Sequence, residues 1–340
     1  MTKKLTKFMA NMLLVAAIAA VAASCSKDDP APVKKQPDIY VAGYRYDGNR
    51  NIAVLWKNGT AIELTNGSNS AVAMSVFVSG NDVYVAGVEE NGTKDVAKIW
   101  KNGVAIALTD GTNHAWINSV FVSGNNVYAA GVEDNGTYGV AKIWKNGAAT
   151  ALTDGTKYAG ARSVFVSGND IYVAGDEYNG NKYVAKLWKN GSVTSLTDGT
   201  NHAWANSVFV SGGNVYVAGV EGNGTFDVAK VWKNGTATAL ACTNYANANS
   251  VFVSGNDVYV AGDEYNGNKY VAKLWKNGTA TALTDDSNHS YANSVYVLGK
   301  DVYVTGYYEN GNQHIAAVWK NGVLFQTLDG VRVANSIFVK

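Results

Sequence analysis

From Asp38 onward the chain alternates short apolar runs with polar, glycine-containing breaks. One unit shows the rule. Ser119-Val-Phe-Val122 is a short apolar strand, Ser123-Gly-Asn-Asn126 a tight turn, and Val127-Tyr-Ala-Ala130 a second strand. Glu133-Asp-Asn-Gly-Thr137 is the next turn region and Val140-Ala-Lys-Ile-Trp144 a third strand; Asn146-Gly147 then turns into the fourth, Thr150-Ala-Leu-Thr153. The strand residues are β-branched and aromatic, and Asn-Gly between strands favours a type I′ hairpin because both central residues take positive φ. No segment carries a sustained 3.6-residue apolar stripe, so the unit reads as an antiparallel meander. With two-residue loops, Phe77, Tyr84, Ala97 and Ile99 share one face, and Val76, Val78, Val83, Val85 and Trp100 share the other. Both faces are apolar, so each sheet must be covered on both sides.

The unit repeats. Trp-Lys-Asn-Gly begins at Trp56, Trp100, Trp144, Trp188, Trp232, Trp275 and Trp319, at spacings of 44 residues broken once by 43. Tyr-Val-Ala-Gly and its variants begin at Tyr40, Tyr84, Tyr128, Tyr172, Tyr216, Tyr259 and Tyr303. A period in the low forties is that of a four-stranded propeller blade. The expected architecture is all-β, a seven-bladed β-propeller over 38–340. The array opens at Asp38 on a second-strand sequence and ends on a first-strand sequence, Asn335-Ser-Ile-Phe-Val339. The last strand should therefore complete the first blade and close the ring, which removes the edges an open solenoid would expose. All three prolines, Pro30, Pro32 and Pro37, precede the repeats and leave the ladders uninterrupted.

Charge adds mainly exclusions. With 28 Lys plus Arg against 27 Asp plus Glu, the net charge of +1 gives no basis for nucleic-acid binding. Residues 1–24 read as a secretory signal, with Lys3, Lys4 and Lys7 before an apolar core from Met12 to Ala23. That core is short for a membrane span. It ends Ala22-Ala23-Ser24-Cys25, which resembles the lipobox of bacterial lipoproteins and implies cleavage before Cys25 and acylation of that cysteine. The following Ser26-Lys27-Asp28-Asp29 resembles the export signal of surface lipoproteins of the Bacteroidota, implying a lipid-anchored protein on the outer membrane, facing outward. Residues 25–37 are then a tether. Cys242, the other cysteine, reads as a packed or turn residue.

The string Trp-Lys-Asn-Gly with Ser-Val-Phe-Val-Ser-Gly-Asn-Asp is similar to tandem-repeat propeller lipoproteins of the Bacteroidota over 38–340. That likeness carries no activity. The Trp-Asp dipeptide of one propeller family and the Ser-x-Asp-x-Gly-x-Thr-Trp box of sialidase-like propellers are both missing. Fold alone does not fix function.

By analogy with other propellers, the fourth-to-first and second-to-third connections should share the binding face. The fourth-to-first set carries His114 and Trp116, Tyr158, His202 and Trp204, Tyr245, and His289 and Tyr291. The second-to-third set adds Tyr178 and Tyr265. Aromatic rings stack on sugar faces and Asn offers paired donors and acceptors, although the same aromatics could simply fill space between blades. The three histidines fall on alternate blades without companion ligands, which argues against zinc. Five repeats pair a Glu (89, 133, 177, 221, 264) with a Lys (98, 142, 186, 230, 273), whereas the first and last have Arg45 with Val54 and Tyr308 with Ala317. A contact within or between blades follows, although two-residue loops would set Glu89 opposite Lys94. No nucleophile–base pair stands out. The expectation is a non-enzymatic, monomeric binding module for a glycan or protein, without cofactor or metal. A polysaccharide hydrolase or lyase and a purely structural scaffold are the alternatives. The departures from the repeat are Arg162, the Cys242 region and Gln313-His314.

Overall fold

A computed structural model describes residues 36–340; the expected signal, Cys25 and most of the expected tether lie outside the described residues. Residues 37–340 form seven four-stranded antiparallel sheets. Blade 2, taken as the type, comprises Ala71–Ser79, Asp82–Glu90, Asp95–Lys101 and Val104–Ala107, from the innermost strand outward. Blade 1 takes its inner strand, Val333–Val339, from the far end of the chain and pairs it with Ile39–Tyr46. The seven inner strands contact one another in a closed cycle. The protein is a seven-bladed β-propeller closed by a C-terminal strand.

The repeated motifs explain themselves in this geometry. Val85 pairs with Trp100 and Ala86 with Ile99, so the two apolar faces fall as the sequence predicts. One face packs on blade 1 and the other on blade 3. All seven motif tryptophans are under 2% exposed. The Asn of each Trp-Lys-Asn-Gly sits at φ 48–53°, as a type I′ turn demands. Its side chain also accepts an amide from the preceding hairpin, as Asn102 does from Val83 at 2.8 Å. The motif Lys lies over the motif Tyr at 5.0–5.6 Å in every blade. These contacts fix the hairpin face opposite the loops that carry the candidate site.

One expectation is corrected. In blades 1 to 6 the second-to-third connection is a four-residue loop, as where Asn91 N–H donates to Lys94 O and Asn91 Oδ1 accepts from Thr93 and Lys94; blade 7 keeps the two-residue hairpin, with Asn310 opposite Gln313. Asn side-chain capping wins over the two-residue hairpin here. Pairing shifts by two residues, which preserves the faces, and Glu89 lies diagonal to Lys98 instead of opposite Lys94. The Glu–Lys contacts are within blades, at 2.5 Å for Lys98–Glu89 and 3.4 Å for Lys273–Glu264. In blade 1, Arg45 pairs with Glu63 on the outer strand, so the pair moves to a new place.

Each inner strand also carries a β-bulge that the repeats had not announced, at Met74, Asn118, Arg162, Asn206, Asn249, Asn293 and Asn335. The innermost strand has no neighbour on its axis side, so the amides that face the axis need other acceptors. The one two residues past each bulge finds its acceptor across the blade boundary. Val120 N–H donates to Ser75 Oγ at 3.1 Å, Val164 N–H to Ser119 and so on, until Ile337 N–H reaches Ser294 and Val76 N–H reaches Ser336. The serine before each Val-Phe-Val thus links its blade to the next around the whole ring. Inside it, Phe77, Phe121, Phe165, Phe209, Phe252, Tyr296 and Phe338 form a closed aromatic annulus with centroids 4.6–5.1 Å apart. Neighbouring rings are inclined by 43–58°, close to the seventh of a turn that a seven-fold ring imposes.

The shortened repeat has a local consequence. The loop before blade 6 lacks one residue, and Ala241 O there accepts Trp275 Nε1–H at 2.9 Å. The indole N–H groups of Trp56, Trp100, Trp144 and Trp232 are buried without a partner. Cys242 packs beside Leu240 as a half-buried thiol, and burial raises its pKa.

Candidate functional site

The loop-bearing face reads position by position. Two residues before the bulge of each inner strand stand Val72, Trp116, Gly160, Trp204, Asn247, Tyr291 and, in blade 1, Val333. Trp116 and Trp204 flank Gly160, whose missing side chain leaves a cleft of about 580 Å³ over blade 4. Tyr158 and Tyr183 line it together with Arg162 and Asp176. Three predicted residues, Trp116, Tyr158 and Trp204, are thereby brought to one place. The bulge releases the Arg162 side chain from the strand, and its Nε donates to Asp176 Oδ1 at 2.5 Å. The Asp176 side chain is 5% exposed and the Arg162 side chain 40%, so the guanidinium is the part open to the cleft. Burial holds the Asp176 carboxyl above the usual carboxylate range, and Arg162 offsets only part of that rise.

The histidines do not converge. His202 Nδ1 accepts the Tyr183 amide at 3.2 Å and His289 Nδ1 accepts the Tyr270 amide at 3.1 Å. His114 Nδ1 lies 2.9 Å from Asp95 Oδ2. Each ring therefore ties a fourth-to-first loop to the third strand of the preceding blade. Two of them also back an aromatic: His202 stacks on Trp204 at 5.6 Å and 6°, and His289 on Tyr291 at 6.5 Å and 8°. Tyr178 packs on Tyr183 and Tyr265 on Tyr270. Tyr245 stands apart; its hydroxyl donates to Thr225 O and its ring packs on Phe226. Among the described residues no three His, Cys, Asp or Glu side chains gather as a metal site would require.

Blade 6 holds a second buried carboxylate at the position of Asp176. Asp263 is 3% exposed and accepts Asn247 Nδ2 at 3.0 Å and Asn249 Nδ2 at 3.2 Å. Burial outweighs those bonds and pushes its pKa up to about 6. Burial, with the charge of Asp263, also raises the Tyr291 hydroxyl to about 12. Tyr291 continues into a stack with Tyr307 at 4.9 Å, and Tyr307 with His314 at 4.8 Å. Burial lowers the His314 pKa, and its Nδ1 is buried without a partner.

Sequence reasoning did not name Gly160, Tyr183, Tyr270 or Tyr307 as site residues, and it met Asp176 and Asp263 only as the first residues of candidate second-to-third loops. The available signal was Asp against the Val of neighbouring repeats at positions 176 and 263. The sequence matches no protein-family model, and no curated protein matches it.

Proposed function

We propose that this protein is a non-enzymatic binding module that holds a glycan in the cleft over blade 4, tethered to the outer surface of a bacterial outer membrane through a lipid on Cys25. The observation that carries the glycan reading is the pair of indoles on either side of Gly160, above the Arg162–Asp176 pair. Flat apolar rings cover the C–H faces of a pyranose, while the fork of Arg162 and the hydroxyls of Tyr158 and Tyr183 meet its hydroxyls. Charge favours a neutral sugar. Asp176 and Asp134 at the cleft outnumber Arg162, so an anionic ligand gains little. The tether is supported by the Ala-Ala-Ser-Cys25 junction and the acidic residues after it.

A glycan array probed with wild type and with Trp116→Ala/Trp204→Ala tests the site. Binding by wild type alone is expected, and equal binding by both overturns the proposal. Turnover of a polysaccharide that disappears in His314→Ala would replace it with the hydrolase or lyase reading. Labelling with a fatty-acid analogue, lost in Cys25→Ala, tests the anchor.

A further inference from the structure

The aromatic surface does not end at the cleft. The assembly in blades 4 and 5 is repeated in blades 6 and 7, with Tyr291 in the place of Trp204. Tyr183 lies 5.9 Å from His202 and 5.8 Å from Trp204; Tyr270 lies 6.0 Å from His289 and 5.7 Å from Tyr291. Tyr178–Tyr183 and Tyr265–Tyr270 are 5.3 and 5.2 Å apart. The same amide-to-imidazole bond braces both, and a buried aspartate lies beneath each, Asp176 in one and Asp263 in the other. This is a period of two blades laid over a fold whose own period is one.

Packing alone does not ask for that doubled period. The positions that fill the core repeat every blade: the Trp, the Phe annulus, the bulge serine. The positions that alternate lie on the loop face, where His, Tyr, His, Tyr, His succeed one another at 114, 158, 202, 245 and 289. Trp116, Trp204 and Tyr291 alternate in step with them, and between them come Gly160 and Asn247. The result is an arc of three platforms over blades 3, 5 and 7 with a polar step over each buried acid. Blades 1 and 2 place only Val333 and Val72 in that ring. The two steps differ in the partner of the buried acid, Arg162 on Asp176 against Asn249 on Asp263, and in how open they are. Gly160 leaves blade 4 open as a cleft, whereas Asn247 fills blade 6 and donates to Asp263, making a shelf.

We propose that the ligand is a linear neutral polysaccharide engaged at both stations at once, one sugar stretch in the cleft between Trp116 and Trp204 and a later stretch on the shelf between Trp204 and Tyr291. This rests on the glycan reading above and sets the ligand's class as a chain instead of a single residue or chain end. Two linked stations raise affinity for the polymer without raising it for a short fragment, because the second contact is made at high effective concentration. Beneath the polar step at blade 6 lies a carboxylate already held by two amides, and a negative charge there disfavours an anionic ligand.

Native gel electrophoresis through soluble neutral polysaccharides (a mixed-linkage glucan, a xyloglucan, a galactomannan and a soluble starch) tests this, followed by calorimetry with fragments of the polymer that retards the protein. The Tyr270→Ala/Tyr291→Ala variant should lose about tenfold or more in affinity for the polymer, yet bind fragments of about two or three sugars as wild type does. Trp116→Ala should weaken both. Tyr291→Phe, which keeps the ring, should keep polymer affinity, and the thermal midpoint of each variant shows that it is folded. Polymer affinity unchanged in the double variant overturns the two-station inference while leaving the cleft as the binding site. An array hit confined to acidic glycans overturns the neutral-chain class alone. Retardation by none of the polymers, with no array hit, overturns both readings.

Discussion

At the scale of single residues, the site depends on one missing side chain. A Cβ built on Gly160 meets nothing closer than Asp176 Oδ1 at 3.7 Å, an ordinary contact, and blade 2 carries Val72 at the same position. Gly160→Val should therefore fold with stability within about 1 kcal/mol of wild type and lose glycan binding, which denaturation and the array measure together. Asp263 supplies the opposite case, a residue whose burial costs stability. Its pKa is about 6 in the folded protein against 3.8 for an unperturbed Asp. Both states are protonated below the lower value. As pH rises between the two, the unfolded chain ionises first, so stability falls, and the penalty is complete above the upper value. Asp263→Asn, with Asn247 turning its amide to accept, should be more stable than wild type by about 3 kcal/mol at pH 7. That advantage should vanish toward pH 4 in urea titrations run at both pH values.

At the scale of the strand, the glycine of each Tyr-Val-Ala-Gly motif has a steric reason that flexibility does not supply. A Cβ on Gly219 would lie 2.0 Å from Trp204 O, and the equivalents at Gly87 and Gly306 would lie 2.0 and 1.9 Å from the corresponding carbonyls. The bulge tips the inner strand inward there, and only a hydrogen fits between. Gly219→Ala should cost at least about 3 kcal/mol and displace Trp204 with the strand that bears it. Thermal unfolding and the indole fluorescence of the folded state should move together. By contrast the Glu–Lys pairs are partly exposed and contribute little, which fits their relocation in blade 1 to Arg45 and Glu63.

At the scale of the ring, the strand Val333–Val339 is the closure. It places Val333, Ile337 and Val339 in the core, and Ser336 completes the cycle of serine bonds between blades by accepting from Val76. Three large apolar side chains amount to about 5–8 kcal/mol of burial, comparable with the whole stability of a domain. Deletion of 333–340 should leave blade 1 with an open edge and yield aggregated or unfolded protein on gel filtration. A permutant that moves residues 330–340 in front of Asp38 should restore the wild-type thermal midpoint, because contacts and not chain order hold the ring. If the deletion and wild type unfold at the same midpoint, the clasp is not what closes the structure.

Much of this was legible in the chain. The motif spacings determine seven blades, the two apolar faces determine that blades pack on one another, and the first-strand sequence at 335–339 determines where the ring closes. These features are local or repeated, so pattern and turn chemistry are enough to read them. The four-residue second-to-third loop was misread because an Asn-Gly pair serves both a type I′ hairpin and a side-chain cap. Only the tertiary structure decided the rest. The bulges follow from strands crowding the axis, and a histidine becomes a brace for Trp204 or Tyr291 only once its loop meets the third strand of the preceding blade. The cleft exists because Trp116 and Trp204, 88 residues apart in the chain, stand on either side of a glycine that looks unremarkable in sequence. Closing the ring brings separate copies of one position side by side, and the differences among those copies become a surface.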